Sequence, residues 1–164
     1  MKYSALVIGL GRIGMGYDYK CISDKYILTH SQALNGHSKF DLIAGIDLSK
    51  ENRELFNKKF NKPSFSEINS EIKFINPDIV TISVPTLLHY KVVKNVISNL
   101  SPKLILIEKP LSYSFNEAEE IVSIAKEKNI IIAVNFIREY DPSHKILFDR
   151  INSDELGYPL KGVC

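Results

Sequence analysis

Ten residues near the N-terminus carry the strongest structural signal and read Ala5-Leu6-Val7-Ile8-Gly9-Leu10-Gly11-Arg12-Ile13-Gly14. An apolar run of strand length leads directly into glycines at GxGxxG spacing. In this pattern the first glycine allows a tight turn, the second lets backbone N–H groups approach a pyrophosphate, and the third lets a helix pack on the strand. The phosphates then lie at the positive N-terminus of that helix. The stretch therefore predicts a strand–turn–helix unit that binds a dinucleotide, the alternative being a glycine turn without a ligand.

Further apolar runs of strand length follow along the chain at Leu42–Ile46, Ile79–Val84, Leu104–Ile107 and Ile130–Val134. These runs are continuous rather than alternating in polarity, which is typical of strands covered on both faces. Stretches with helical periodicity lie between them. Alternating strands and helices require right-handed crossovers and a mostly parallel sheet covered by helices. The sequence predicts a doubly wound α/β fold of the Rossmann type.

Capping signals predict where the intervening helices begin or end, and they stand at Ser49, Pro77, Ser114–Glu117 and Asp141-Pro142. The first and last of these are typical of N-terminal caps, the third of a capping box, and the proline of a helix end. Residues 15–28 lack clean periodicity, so we expect an irregular insertion there, before a short helix that stops at Asn35-Gly36.

Composition and charge exclude several classes of protein. The chain has 164 residues, of which 45% are hydrophobic and 24% charged, as in ordinary globular domains. Its 21 basic and 19 acidic residues leave a net charge of +2. This balance lacks the excess of basic residues that is typical of proteins that bind nucleic acid or an anionic membrane surface. No signal-peptide pattern or apolar run of about 18 residues is present. Cys21 and Cys164 lack metal-site spacing. We expect a cytoplasmic protein without a metal.

Asp47 ends the second apolar run. A carboxylate at this position can accept hydrogen bonds from the adenosine ribose and repels a 2′-phosphate, which favours NAD over NADP. Asp47 follows Gly14 by 33 residues, more than the usual distance of about 20, and the irregular insertion accounts for the excess. A helix-capping role is the alternative, and the two roles are compatible. Ser49 and Lys50 could bind a phosphate, so NADP is disfavoured rather than excluded.

The remaining strand ends complete a family pattern. The third run ends in Ser83-Val84-Pro85-Thr86 with His89, the fourth in Glu108-Lys109-Pro110, and the fifth in residues 135–142. With the glycine turn and His30-Ser31-Gln32-Ala33-Leu34, the chain resembles, over nearly its whole length, the N-terminal half of the glucose–fructose oxidoreductase / inositol dehydrogenase (Gfo/Idh/MocA) family. It departs from that pattern in the insertion after Gly14 and at Glu139, where many relatives carry an arginine.

The resemblance implies an NAD(P)-dependent oxidoreductase that transfers hydride between the cofactor and a polyhydroxylated substrate such as a sugar, an inositol or a nucleotide sugar. The residues implied in cofactor binding are Gly9, Gly11, Arg12, Ile13, Gly14, Asp47, Ser83, Pro85, Thr86, His89, Glu108 and Lys109. Lys109 is the implied catalytic residue, since in relatives the lysine there binds the hydroxyl being oxidised and assists its proton loss. Independently, a lysine at the carboxyl end of a parallel strand faces the crevice where ligands bind.

Several of these residues have simpler alternative roles. Lys109 could be a solvated turn residue, and His89 could cap or pack rather than touch a cofactor. His30 and His37 are expected to be structural or to lie on a helix surface. Arg138 could hold a phosphate or form a surface salt bridge.

The resemblance also implies how the domains are organised. Residues 1–142 would form the dinucleotide-binding domain, and residues 143–164 a connecting helix and the first strand of a C-terminal substrate domain. In relatives that domain supplies the remaining catalytic groups and often mediates oligomerisation, so turnover by this chain alone is not expected. The other functions left open are a non-catalytic nucleotide-sensing or interaction module and a truncated product without function.

Overall fold

The computed structural model of the chain describes residues 2–21, 26–153 and 157–158. Its sheet consists of β1 (Tyr3–Ile8), β2 (Phe40–Ile46), β3 (Ser64–Phe65), β4 (Ile79–Ile82), β5 (Leu104–Ile107) and β6 (Ile131–Val134). The strands lie in the order β3-β2-β1-β4-β5-β6, and every neighbouring pair is parallel. The chain therefore winds outward from β1 on one side and returns to build the other side from β4. This order confirms the predicted doubly wound Rossmann fold and places its switch point between β1 and β4.

The α-helices of the described residues are α1 (His30–Gly36), α2 (Lys50–Phe60), α3 (Ser70–Ile75), α4 (His89–Asn99), α5 (Phe115–Glu127) and α6 (Pro142–Asn152). Shorter helical turns span Arg12–Gly16, Thr86–Leu88 and Ile137–Tyr140. No helix within the described residues is both long and apolar enough to cross a bilayer.

The central strand β1 is buried on both faces, as its continuous apolar sequence predicts. Leu6 and Ile8 belong to a core that includes side chains of α4 and α5. Ala5 and Val7 point to the opposite face and belong to a second core with α1 and α2. Successive side chains of a strand alternate between faces, so one uninterrupted apolar run supplies both cores.

Strand boundaries differ from the expected ones mainly at the ends. The third apolar run was expected to extend to Val84, but β4 ends at Ile82, because Ser83 and Val84 turn out of the sheet towards the Thr86–Leu88 turn. The two-residue strand β3 has no counterpart among the expected runs, since a pair such as Ser64-Phe65 is too short to give a pattern.

Two of the expected helix ends differ in detail. The helix before Pro77 ends at Ile75, because Asn76 adopts a left-handed conformation and its N–H bonds the carbonyl of Ile72. At α5, Ser114 is the N-cap residue, but its hydroxyl makes no capping hydrogen bond. The hydroxyl of Ser112 instead bonds the Glu117 carboxylate and accepts from the Ser114 N–H. Ser112 therefore links the Ser114 N–H to the Glu117 carboxylate, in place of the expected capping box.

The chain divides into two compact units, Met1–Val134 and Asn135–Cys164. The second unit contains α6, and the Asp141 carboxylate accepts from the Ser143 N–H at 2.8 Å, which confirms the predicted cap with Pro142 at the first helical position. The strand expected around Leu160–Val163 lies outside the described residues. The assignment of residues 143–164 to a second domain stays a prediction.

Candidate functional site

The carboxyl ends of the parallel strands form one edge of the sheet, and their last residues are aligned in register at Ile8, Ile46, Ile82 and Ile107. The residues that follow them leave the sheet at this edge, namely Gly9, Asp47, Ser83 and Glu108. Asp47 and Ser83, which are 38 and 74 positions after Gly9 in the sequence, thus lie against its turn, as the parallel topology predicts. Glu108 lies at the same edge, beyond β4.

Two glycines of the turn are required by the packing of the chain around them. Gly9 has a φ of +92°, and a Cβ there would lie 2.7 Å from the carbonyl carbon of Ser83. A Cβ on Gly14 would collide with the carbonyl oxygen of Gly9. Both positions therefore need glycine for the turn to close against β4 and against its own helical turn.

Gly11 is different, since a Cβ there would meet nothing within 4 Å in the described structure. Its φ of −71° is also open to other residues. The absence of a side chain at Gly11 thus brings nothing to the packing of the described chain. A glycine at this position leaves room for a group that approaches the backbone from outside.

The backbone N–H groups of residues 11–14 have no acceptor in the described part of the chain. The next N–H groups along, of Met15 and Gly16, both bond the carbonyl of Gly11 at 2.9 Å. Unpaired N–H groups at the start of a helical turn form a site for an anion, because their dipoles point the same way. The turn can therefore bind a phosphate group by its backbone alone.

Asp47 joins the ends of β1 and β2. One of its carboxylate oxygens accepts from the Leu10 N–H at 2.7 Å and from the Asn52 amide at 3.3 Å, and the other from the Ser49 N–H at 2.8 Å. Ser49 itself caps α2, as predicted, with its hydroxyl accepting from the Asn52 N–H. The half-buried Asp47 carboxylate thus lies beside the glycine turn and also orders the start of α2.

Ser83 joins the ends of β1 and β4. Its N–H donates to the carbonyl of Ile8 at 2.8 Å, and its hydroxyl donates to the carbonyl of Gly9 at 2.7 Å. These two bonds hold the first glycine of the turn against the neighbouring strand.

An open pocket of about 580 Å³ lies along this edge. Of the residues predicted to bind a cofactor, those that line it are Gly9, Gly11, Asp47, Ser83 and Pro85. Its lining also includes polar residues that the sequence did not single out, namely Asn52, Glu67, Lys91 and Asn95. Their sequence context carries no signal, because Lys91 and Asn95 are ordinary polar positions of an amphipathic helix.

A second pocket, of about 630 Å³, is lined by α1 and by strand residues such as Ile79 and Leu106. Its described lining contains no acidic side chain and is largely apolar. The glycine turn and Asp47 are absent from it, so the candidate site is the pocket at the carboxyl edge.

The other predicted site residues lie outside the lining of the carboxyl-edge pocket. Arg12 and Ile13 are exposed on the helical turn, Gly14 is buried beneath it, and Thr86 is half-buried at the start of the Thr86–Leu88 turn. Lys109 is exposed in the loop that follows β5.

His89 is completely buried, and both of its ring nitrogens face carbonyl oxygens. Nδ1 lies 2.9 Å from the oxygen of Pro110, and Nε2 lies 3.0 Å from the oxygen of Val84. This geometry favours the packing role that the sequence left open for His89 over direct contact with a cofactor.

Glu108 forms a contact that the sequence did not predict. Its carboxylate lies 2.9 Å from Nε2 of His30, and both side chains are largely buried.

His30 is the first residue of α1, whose N-cap Thr29 donates its hydroxyl to the buried carboxylate of Asp18 at 2.7 Å. Asp18 also pairs with Lys59 at 3.5 Å, so the irregular insertion is anchored at both its start and its end. The sequence signals for His30 are its place beside Thr29 and its place in the family motif His30-Ser31-Gln32-Ala33-Leu34.

No group of three or more His, Cys, Asp or Glu side chains suited to a metal occurs among the residues that the structure describes. Cys21 is exposed and free, and Arg138 is exposed in the second unit.

Comparisons with known proteins agree with this geometry. A family model described as an oxidoreductase family with an NAD-binding Rossmann fold (Gfo/Idh/MocA) matches residues 3–136. The scyllo-inositol 2-dehydrogenase (NAD(+)) of Bacillus subtilis is 34% identical over 83 residues, which are 51% of this chain and 24% of that protein.

Solved structures share the fold at lower identity. The scyllo-inositol dehydrogenase of Lactobacillus casei with bound NAD(H) and scyllo-inositol gives a TM-score of 0.77 at 16% identity, over 96% of this chain and 43% of that one. A 3-ketoreductase from Actinomadura kijaniata in complex with TDP-benzene and NADP gives 0.76 at 18% identity, over 93% and 44%. The chain thus spans less than half the length of each of these proteins.

Proposed function

The chain belongs to the Gfo/Idh/MocA oxidoreductase family, which has an NAD-binding Rossmann fold, and we propose that it is the cofactor-binding part of an NAD-dependent dehydrogenase acting on a polyhydroxylated substrate. Family membership confirms the resemblance that the strand ends carry. The proposal goes further in naming the cofactor, the class of substrate and the residues that act on them.

The observation that carries the proposal is the set of unpaired N–H groups of residues 11–14 beside the Asp47 carboxylate. A dinucleotide has a pyrophosphate next to a ribose, so it needs an anion site and a carboxylate side by side. The described structure offers both at one edge of the sheet, and the open space around Gly11 lets the pyrophosphate approach the backbone. The residues present therefore fit the group that the family binds.

Asp47 is the basis for proposing NAD rather than NADP. Its carboxylate is fixed by three hydrogen bonds at the start of α2, where it would face the ribose and repel a 2′-phosphate. Arg53, the nearest guanidinium in sequence, donates to the carbonyls of Asp47 and Leu48 at 2.8 and 2.9 Å. The pocket lining also includes the carboxylate of Glu67 and the ammonium of Lys91.

Lys109 is proposed as the catalytic residue. A bound nicotinamide supplies the hydride acceptor or donor. The Lys109 amine, exposed beside the carboxyl edge, would bind the substrate hydroxyl and take up its proton during oxidation. The names of relatives support a polyol, sugar or nucleotide-sugar substrate. Further catalytic groups and the contacts for oligomerisation are proposed to come from a substrate domain.

The proposal is tested by titrating this chain with NAD+ in a calorimeter, with Gly11→Ala and Gly36→Ala as a matched pair. Both substitutions add one methyl group where the described structure leaves open space. Only the methyl on Gly11 stands where the pyrophosphate would approach. We expect saturable binding by the wild type and by Gly36→Ala, and binding weakened about tenfold or more in Gly11→Ala, a loss of about 1.4 kcal/mol.

Equal affinities in the two variants would contradict the assigned site. Thermal melting of both variants checks that the fold is retained, which the open space at each position leads us to expect.

A further inference from the structure

The loop that carries the proposed catalytic amine is held on both sides by buried histidines. Lys109 is exposed, but its neighbours Glu108 and Pro110 each contact a histidine from a different helix. Neither histidine lies near the loop in sequence, because His30 precedes Glu108 by 78 positions and His89 precedes Pro110 by 21.

His30 holds the first residue of the loop by its side chain. A carboxylate only accepts, so Nε2 of His30 carries the hydrogen and donates to Glu108 at 2.9 Å. The histidine is 9% exposed, and it begins α1, where the Thr29 cap and the Asp18 carboxylate fix the backbone. The Glu108 side chain is therefore held by a buried ring at the capped start of α1.

His89 holds the last residue of the loop by its backbone. Carbonyl oxygens also only accept, so a ring nitrogen of His89 that carries hydrogen donates to the carbonyl it faces, Nδ1 to Pro110 and Nε2 to Val84. Val84 follows β4 and Pro110 follows β5, so one ring bridges the two loops at neighbouring strand ends.

The position of this loop determines which half of a dinucleotide it meets. The glycine turn follows the central strand β1, and Asp47 lies on the β2 side of it, where the adenosine ribose is proposed to bind. A dinucleotide crosses the switch point, so its second half extends over the ends of β4 and β5. The residues that follow these strands are the ones that His89 and His30 hold.

We propose that His30 and His89 are positioning residues that fix the Glu108–Pro110 segment against the nicotinamide half of the cofactor. This inference rests on the proposed function. The two rings act from opposite ends of a three-residue segment, so the backbone of Lys109 is fixed while its amine remains free to reach a substrate. Small displacements of a reacting group have large effects on rate, which gives such positioning its value.

The test compares NADH with ADP, which lacks both the nicotinamide and its ribose, by calorimetric titration of this chain. His30→Leu and His89→Leu remove the hydrogen bonds, whereas His30→Gln and His89→Gln keep one donor. Thr81→Val is the matched control, because it replaces a buried hydroxyl without a partner in the described structure, on strand β4. Circular dichroism establishes which variants fold. Where a leucine variant does not fold, the affinities for the two ligands are compared in the glutamine variant at that position.

We expect the leucine variants to bind NADH about tenfold more weakly, with ADP affinity unchanged, and the glutamine variants to recover part of the loss. Thr81→Val should bind both ligands as the wild type does. An equal loss for NADH and ADP, or no loss for either, would overturn the positioning role. Binding of neither ligand by the wild type would instead remove the proposed function, and the positioning role with it.

Discussion

At the scale of single residues, Asp47 has two tasks that its sequence position suggested separately. It accepts from the glycine turn and from the start of α2, and it faces the pocket where a ribose is proposed to lie. The two tasks are compatible because a carboxylate has about four lone-pair directions, and three hydrogen bonds leave room for a ligand.

The charge of Asp47 is expected to set the preference for NAD over NADP. In Asp47→Asn the repulsion of a 2′-phosphate is lost, so the ratio of NADP to NAD dissociation constants should fall roughly tenfold. A pair of unit charges 4 Å apart near a protein surface is worth about 1 to 4 kcal/mol, which covers that change. Paired titrations with NAD+ and NADP+ measure the ratio.

The control for this prediction is Asp41→Asn, which removes the same charge from the amino end of β2, where Asp41 pairs with Lys62. The control should keep the wild-type ratio. An Asp47→Asn variant that folds and keeps it as well would show that this carboxylate does not select the cofactor.

At the scale of strands and helices, the carboxyl and amino edges of the sheet have different roles. The carboxyl edge carries the glycine turn and the candidate site. At the amino edge, Asp78, which directly precedes β4, accepts from the Ser4 N–H and hydroxyl of β1 at 2.9 Å and from the ammonium of Lys103, just before β5, at 2.8 Å. No ligand is needed to explain these contacts, so Asp78 serves stability.

The hydrogen bonds of Asp78 make a pH-dependent contribution to folding. The Lys103 ammonium, followed by the Ser4 N–H and hydroxyl, holds the pKa of Asp78 below its ordinary value of 3.8. The unfolded chain therefore binds this proton more readily than the folded one. The stabilisation is complete above pH 3.8 and is lost as the pH falls through the lower pKa of the folded state.

Asp78→Asn should lower the free energy of unfolding at neutral pH by about 1–2 kcal/mol, the usual cost of impairing a partly buried hydrogen-bonded group. It should also flatten the dependence of stability on pH below 4. Urea unfolding between pH 2.5 and 7 measures both effects. Asp41→Asn, at an exposed pair, should leave the curve nearly unchanged, and an identical curve for Asp78→Asn would refute the role given to Asp78.

At the same scale, the sequence predicted those features that depend on local chemistry. The features found as expected are the turn after β1, the Ser49 and Asp141 caps and strand β5, because each is encoded within a few neighbouring residues. The helix expected directly after the glycines is limited to the five-residue turn Arg12–Gly16. The capping box predicted at Ser114–Glu117 does not form, because the hydroxyl of Ser112 bonds the Glu117 carboxylate instead. Strand β3 was missed because two residues carry no periodicity.

At the scale of the whole described sheet, the parallel topology explains both what the sequence predicted of the site and what it missed. Asp47, Ser83 and Glu108 reach one edge because each follows a parallel strand, and strand ends can be read from sequence. The partner of Glu108 could not be read in this way. His30 meets it only because α1 packs beside the sheet after an irregular insertion of uncommon length, and burial of His89 depends likewise on the packing of α4.

The central claim is that the unpaired N–H groups of residues 11–14 bind the pyrophosphate of a dinucleotide. The most direct test follows backbone amide signals of ¹⁵N-labelled protein by NMR during titration with NAD+. We predict that the amides of Gly11, Arg12, Ile13 and Gly14 shift in a saturable manner, while those of Ser4, Asp78 and Lys103 at the opposite edge do not. Saturable shifts confined to residues outside the carboxyl edge, or no shifts at millimolar NAD+, would contradict the claim.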